Sequence, residues 1–157
     1  MVDLVTYLRE SRAVQFVQES LPWEAVVARC FAPLVANNTI ATGYVDQVVK
    51  QTPRTDAVVP EKQLLILGHP DHSQVHNNGF CFLISNKPID FQGVAIRIIA
   101  GVVAQSDRDY FDFMLPQVVG LFEEQTVIDQ LLKVKLIDQV LNVLRTHNYR
   151  RRIKNHS

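Results

Sequence analysis

The chain has 157 residues, 47% hydrophobic and 20% charged, enough to bury about two-thirds of its unfolded surface in one domain without metal or disulfide support. Sixteen basic and sixteen acidic side chains leave a formal net charge of +0. That balance argues against nucleic-acid binding, where excess cations on phosphate supply most of the affinity, and the composition excludes extensive disorder.

Asp3, Arg9 and Glu10 interrupt the start of the chain, so no apolar signal core is read there. No uninterrupted apolar run approaches the roughly 20 residues of a membrane span, and a cytoplasmic location is expected. Cys30 and Cys81 each lie in an apolar stretch without CxxC spacing, which reads as two buried free thiols. Arg150-Arg151-Arg152-Ile153-Lys154 is the one basic run. It reads first as a solvated tail and second as a membrane-surface or RNA contact.

Leu4, Val5, Leu8, Val14 and Val17 recur at helical spacing over residues 2–20. Ser20-Leu21-Pro22 then opens a stronger helix, with proline suited to its first turn. Trp23, Val26, Val27, Cys30, Phe31, Leu34 and Val35 form its broad apolar face, with Pro33 as an internal kink and Asn37-Asn38 as the stop. A second helix is read over Thr42–Lys50, capped by Thr39 or Thr42, with Tyr44, Val45, Val48 and Val49 inward.

The pattern changes in the middle of the chain. Leu64–Leu67, Phe80–Ile84 and Ile96–Val103 are short apolar runs bounded by Gly, Pro, Asn or Asp, the signature of strands buried on both faces. Such strands need helices above and below, which predicts an α/β layered domain. From Asp107 the helical period returns. Phe111, Leu115, Val118, Val119 and Phe122 form one face, followed by helical patterns through Val127–Leu132 and Ile137–Leu144.

His69, His72 and His76 fall within one polar segment between the first two strands. A metal set is the weak reading, because no cysteine or glutamate stands close by and Asp71 is the one near carboxylate. His72 and His76 read as ordinary loop residues. His69 follows four aliphatics and Gly68, where a buried sheet delivers a side chain to its C-terminal edge and ligand crevices form. Gly68 permits close backbone approach, and exposed N–H groups there can hold an oxyanion. Arg54 could reach such a phosphate or be a solvated loop residue. Arg97 is expected to send its head to solvent at the sheet edge, and Trp23 to be core.

The order of features resembles the IIA domains of the bacterial sugar phosphotransferase system, in the mannitol/fructose superfamily and nearest its ascorbate/galactitol-type branch. The resemblance is carried over about residues 20–145 by Trp23-Glu24-Ala25-Val26, Tyr44-Val45, Val58-Val59-Pro60 before the strand ending in His69, Lys87-Pro88-Ile89-Asp90-Phe91 as an interstrand turn, and Ile96–Ala104 before Asp107. It implies a three-layer α/β/α fold with a central mixed sheet flanked by helices, spanning residues 1–147 with a basic tail at 148–157.

The resemblance also implies a phosphocarrier, a phosphotransferase component if active, without cofactor or metal. Its partners would be the histidine-phosphocarrier protein and a IIB component, with peripheral association to a membrane permease through IIB and no nucleic acid. Matched by position, His69 is the phosphoryl acceptor, with His72 and Tyr110 supporting and Gly68 and Arg54 toward the phosphate. Leu67, Phe111 and Phe113 are candidates for an apolar docking collar around it. The chain departs from the family pattern at three points. Gly68 stands where the family has proline, Asp71 replaces an arginine, and Phe111 aligns with a second histidine. The alternative is therefore a degenerate IIA-like regulatory or binding module without phosphoryl transfer.

Overall fold

The computed structural model describes residues 2–51, 58–68 and 71–156, with side chains to His147. Helix α1 (Leu4–Ser11) is capped by Asp3, whose carboxylate accepts from the Thr6 amide at 3.0 Å. It buries Leu4, Val5 and Leu8 and ends where Arg12 turns left-handed at φ 53°. Val14 and Val17 therefore do not continue the helix. They belong to strand β1 (Val14–Val17), where β-branched and aromatic residues fit a pleated, half-buried surface. Pairing with a distant strand overrides a spacing that happens to suit a helix.

Helix α2 (Trp23–Ala36) starts after Pro22 and continues through Pro33, burying Val26, Val27, Cys30, Phe31 and Leu34. Helix α3 (Gly43–Gln51) buries Tyr44 and Val48. Strand β2 (Val58–Val59), a 3-10 turn at Pro60–Lys62 and strand β3 (Leu64–Leu67) follow. The next strand, β4, runs from Gly79 to Phe91, and β5 from Val94 to Val103.

Lys87-Pro88-Ile89-Asp90-Phe91, expected as a turn between strands, is thus the second half of β4. The β4–β5 register shifts between Ile84 and Ile89, and an irregularity of that kind accommodates a proline that cannot donate to the ladder. The turn itself is Gln92-Gly93, at φ 51° and 89°, with Asp90 accepting the Gly93 amide at 2.9 Å. Positive φ at both residues is what a two-residue hairpin requires.

The sheet order is β1-β4-β5-β3-β2. β1–β4 and β3–β5 are parallel, β4–β5 and β2–β3 antiparallel, so the sheet is mixed. Its two faces are covered by different helices. Cys81 faces α2, its sulfur 3.6 Å from that of Cys30. Phe82, the next residue, packs on Phe122 of helix α4 (Leu115–Phe122) with centroids 5.6 Å apart. Tyr7 of α1 meets Phe80 edge-on, and α3 joins the α2 side through Tyr44 on Phe31. The result is the three-layer α/β/α arrangement. Cys30 and Cys81 are both buried free thiols. Trp23 is half-buried, edge-on to Phe91 at 5.1 Å.

Between β5 and α4 the chain makes a π-helical turn, Asp109–Met114, with the Leu115 amide donating to the Tyr110 carbonyl. Closing the ring over five residues changes the phase of the buried face. Phe111 and Val119, read from sequence as inward, are 61% and 42% exposed, while Met114, Val118, Leu121 and Phe122 are buried. Helices α5 (Gln125–Leu131) and α6 (Ile137–His156) complete the fold. The backbone of α6 runs helically through the basic run.

Candidate functional site

β3 pairs with β5 so that Leu67 lies opposite Gly101, and β4 begins at Gly79 opposite Val103. The end of β3, the start of β4 and the end of β5 therefore share one sheet edge. Gly68 is the last described residue before His69. His69 and Pro70 lie outside the described residues, as does Arg54.

Gly68 is closely covered. A β-carbon at this position would lie 2.5 Å from Cε2 and 2.8 Å from Cζ of Tyr110, and would also meet its hydroxyl oxygen. Any side chain here would force the tyrosine ring to shift, because the ring rests on the backbone itself. Burial pushes the Tyr110 phenol above its ordinary pKa, since desolvation penalises the phenolate. The hydroxyl stays a neutral donor through the physiological range, and it has no hydrogen-bond partner among the described residues.

Tyr110 is held there by the turn that precedes it. The Ser106 hydroxyl accepts the Asp109 amide at 3.1 Å, and the Ser106 carbonyl accepts the Tyr110 amide at 3.0 Å. Phe111 leans edge-on against Tyr110, with centroids 5.0 Å apart.

The segment after residue 70 is stitched to the rest of the fold. The Asp71 carboxylate accepts the Ser73 amide at 3.0 Å, closing a local turn of the kind aspartate favours. His72 Nδ1 donates to the Ala104 carbonyl at 2.7 Å, and its Nε2 lies 2.6 Å from an Asp107 carboxylate oxygen. Both ring nitrogens thus face acceptors. The His72 side chain is 18% exposed and that of Asp107 76%.

His76 Nδ1 donates to the Asn38 carbonyl at 3.0 Å, and its amide to the Thr39 carbonyl at 2.8 Å. Asn78 completes the stitching. It accepts from the Gln105 amide at 2.7 Å and donates to Asp109 at 3.1 Å. His72 and His76 therefore serve different partners, and among the described residues no three His, Cys, Asp or Glu side chains converge on a metal position.

The expected site residues gather in part. Gly68, His72 and Tyr110 share this edge. Leu67 is buried at 2% exposure and belongs to the core, so it is not part of an exposed collar; Phe111 is exposed. Phe113 is half-buried, with the Arg108 guanidinium 5.9 Å from its ring centroid. Asp107 and Arg108 were not singled out by sequence reasoning. Asp107 marked the return of helical period and the end of the Ile96–Ala104 feature in the resemblance, with no role assigned to it.

A family model described as phosphoenolpyruvate-dependent sugar phosphotransferase system, EIIA 2, matches residues 8–147. The chain belongs to that family. An ascorbate-specific EIIA component of the same phosphotransferase system, from Mycoplasma pneumoniae, is 22% identical to this EIIA chain over 134 residues, 83% of this chain and 84% of the relative. A Streptococcus mutans crystal structure assigned to the IIA class superposes with TM-score 0.83 at 17% identity, covering 92% of this chain and 94% of that one. The mannitol enzyme IIA of Escherichia coli, in complex with phosphorylated enzyme IIB, superposes with TM-score 0.73 at 14% identity, covering 85% and 94%. At these identities the solved structures speak for the fold, which is the IIA fold. No helix among the described residues is long and apolar enough to cross a membrane.

Proposed function

We propose that this EIIA chain is a phosphohistidine carrier with His69 as the acceptor, taking a phosphoryl group from the histidine-phosphocarrier protein and passing it to a cysteine of a IIB component. The observation that carries the reading is the edge at which β3 ends. Gly68, one residue before His69, is covered by a neutral tyrosine whose hydroxyl has no described partner. The family membership and the fold-level likeness to an enzyme IIA caught with its phosphorylated IIB partner support it.

In the first step an unprotonated ring nitrogen of His69 attacks phosphorus. The new N–P bond forms as the donor's N–P bond breaks, and the donor imidazole leaves neutral. In the second step the IIB cysteine thiolate attacks. An S–P bond forms, the N–P bond breaks, and His69 returns to neutral imidazole. Such transfers need positioning and charge stabilisation more than covalent help.

Tyr110 donates its hydroxyl hydrogen to the phosphoryl oxygens. His72 supports by position, because both its nitrogens are occupied by Ala104 and Asp107. Asp71 is held in its own turn, and Arg54 is assigned to the phosphate. Exposed Phe111 supplies apolar surface beside the site for a transient partner. The carrier works in the cytoplasm and meets its permease at the membrane through IIB.

The test is incubation with the general phosphotransfer enzyme, the histidine-phosphocarrier protein and phosphoenolpyruvate, read by intact mass under alkaline conditions. One acid-labile phosphoryl group on the wild type and none on His69→Ala is expected. An unmodified wild type beside a control IIA that is phosphorylated would overturn the carrier reading and leave the regulatory module.

A further inference from the structure

A second cleft opens at the other end of the sheet. The register shift between Ile84 and Ile89 leaves Ser85 and Asn86 unpaired with β5, and the α5–α6 connection crosses in front of them. Phe16, Gln18, Ser85, Asn86, Arg97 and Leu132–Lys135 are among its lining residues. The space is about 30 Å³, where a single water needs about 10–15 Å³. It has room for two or three waters.

Its charge is one-sided. Arg97, Lys133 and Lys135 line it and, among the described residues, no carboxylate does, in a chain whose net charge is +0. Among the described residues none of the three cations forms an ion pair. Arg97 is also fixed in place. Its Nε–H donates to the Ser85 carbonyl at 3.1 Å, which uses one of five guanidinium donors. The other four have no partner among the described residues. The Arg97 head is thus not simply released to solvent, as the sequence suggested. The amides of Lys135 and Leu136 are already taken by the Gln139 side chain, so the free donors here belong to side chains.

We propose that this cleft binds a phosphate group, either inorganic phosphate or the phosphate of a small phosphomonoester, through Arg97 with Lys133 and Lys135. An anchored, half-buried guanidinium presents a fork that matches a phosphate oxygen pair, and two lysines add point charges with no carboxylate among the described lining residues to compete. The site is separate from the phosphoryl-transfer edge. Leu67, next to Gly68, lies opposite Gly101, four residues from Arg97 along β5 and so about 13 Å away at the usual strand rise.

The experiment is a ¹H–¹⁵N titration of the wild type and of His69→Ala with sodium phosphate and, separately, glycerol 3-phosphate, against sodium chloride at equal ionic strength. Saturable shifts at Ser85, Asn86 and Lys133–Lys135 are expected in both proteins, and the tighter of the two probes identifies the source of the phosphate. Arg97→Gln weakens the affinity about tenfold or more. A Lys133→Ala/Lys135→Ala double variant, which leaves the Arg97–Ser85 bond untouched, weakens it as well. Shifts that chloride reproduces, that do not saturate, or that saturate only at Gly68, His72 and Tyr110 overturn the proposal. So does an affinity unchanged in both sets of variants. Because His69→Ala retains this site, failure here and failure of the carrier reading are separate results.

Discussion

Gly68→Ala tests the contact on which the site is built. Its β-carbon would stand 2.5 and 2.8 Å from two ring carbons of Tyr110, where ordinary carbon contacts are about 3.5–4.0 Å. The ring must move by roughly 1 Å, and forcing extra volume into a packed position costs about 1–3 kcal/mol. A smaller gain opposes this loss. Gly68 is not among the residues with positive φ, so alanine fits its backbone and stiffens the unfolded chain, worth about 0.4–1 kcal/mol. The net loss is about 0–2.6 kcal/mol, which for a domain of this size lowers Tm by at most about 10 °C. The sign in a second background decides the matter. With Tyr110→Ala the overpacking vanishes and Gly68→Ala becomes mildly stabilising, a coupling of about 1–3 kcal/mol in a double-mutant cycle. Thermal melts of the four proteins measure it. A loss of equal size in both backgrounds would refute the claim that Tyr110 is what glycine makes room for.

Burial raises the Cys81 thiol pKa, with the Cys30 thiol beside it adding to the effect; native protein is therefore inert to thiol reagents at pH 8, and both cysteines label only in denaturant. A native protein that labels at the rate of a free thiol would sink this. Burial also raises the phenol pKa of Tyr110 and Tyr7 above 10.0. The folded state holds these protons more tightly than the unfolded chain, so their contribution is fully present below pH 10 and is lost as pH rises above it. Denaturation curves from pH 8 to 11 show the fall, and Tyr110→Phe flattens it in part. Asp107→Asn removes the charge opposite His72; since Asp107 is largely exposed, the loss is held to about 1 kcal/mol or less, and amide exchange at Ser73–His76 quickens by up to about fivefold. Unchanged exchange would show that the pair does not fasten the loop. Phe111→Ser leaves stability within about 0.5 kcal/mol because the ring is exposed, while phosphoryl transfer from the histidine-phosphocarrier protein slows. A large drop in Tm would assign Phe111 to the core instead.

How far the fold could be read from the chain depended on the range of the forces that decide each element. Leu64–Leu67 and the apolar runs in β4 and β5 announce themselves, because a strand covered on both faces needs unbroken hydrophobicity. β1 does not, since four residues at valine-rich spacing suit either a helix or a strand until Phe82–Ser85 come alongside. Pro88 misleads in the same way. A proline reads locally as a turn, whereas here it lies in the register shift of a strand that continues to Phe91. Phe111 was placed inward by a period of 3.6, which the π-helical turn breaks. At the site, the strand that ends at Leu67 was visible in the sequence, as was the run of histidines after it. The partners of His72 were not, because Ala104 and Asp107 are 32 and 35 residues away.

The resemblance sets Gly68 against a proline and Phe111 against a second histidine, at two separate points of the chain. The packing joins them. A proline ring at position 68 carries the same β-carbon that Tyr110 excludes, so proline there and tyrosine at 110 in this pose are sterically incompatible. Glycine at 68 admits Tyr110, and Tyr110 brings a neutral hydroxyl to the edge from which the neighbouring histidine is missing. Positions 68 and 110 are therefore coupled by packing. Restoring proline alone, by Gly68→Pro, is expected to displace Tyr110 and lower both stability and phosphorylation, whereas Gly68→Pro combined with Tyr110→Ala and Phe111→His regains more of each than Gly68→Pro alone. If the single and combined variants melt and phosphorylate alike, positions 68, 110 and 111 are independent.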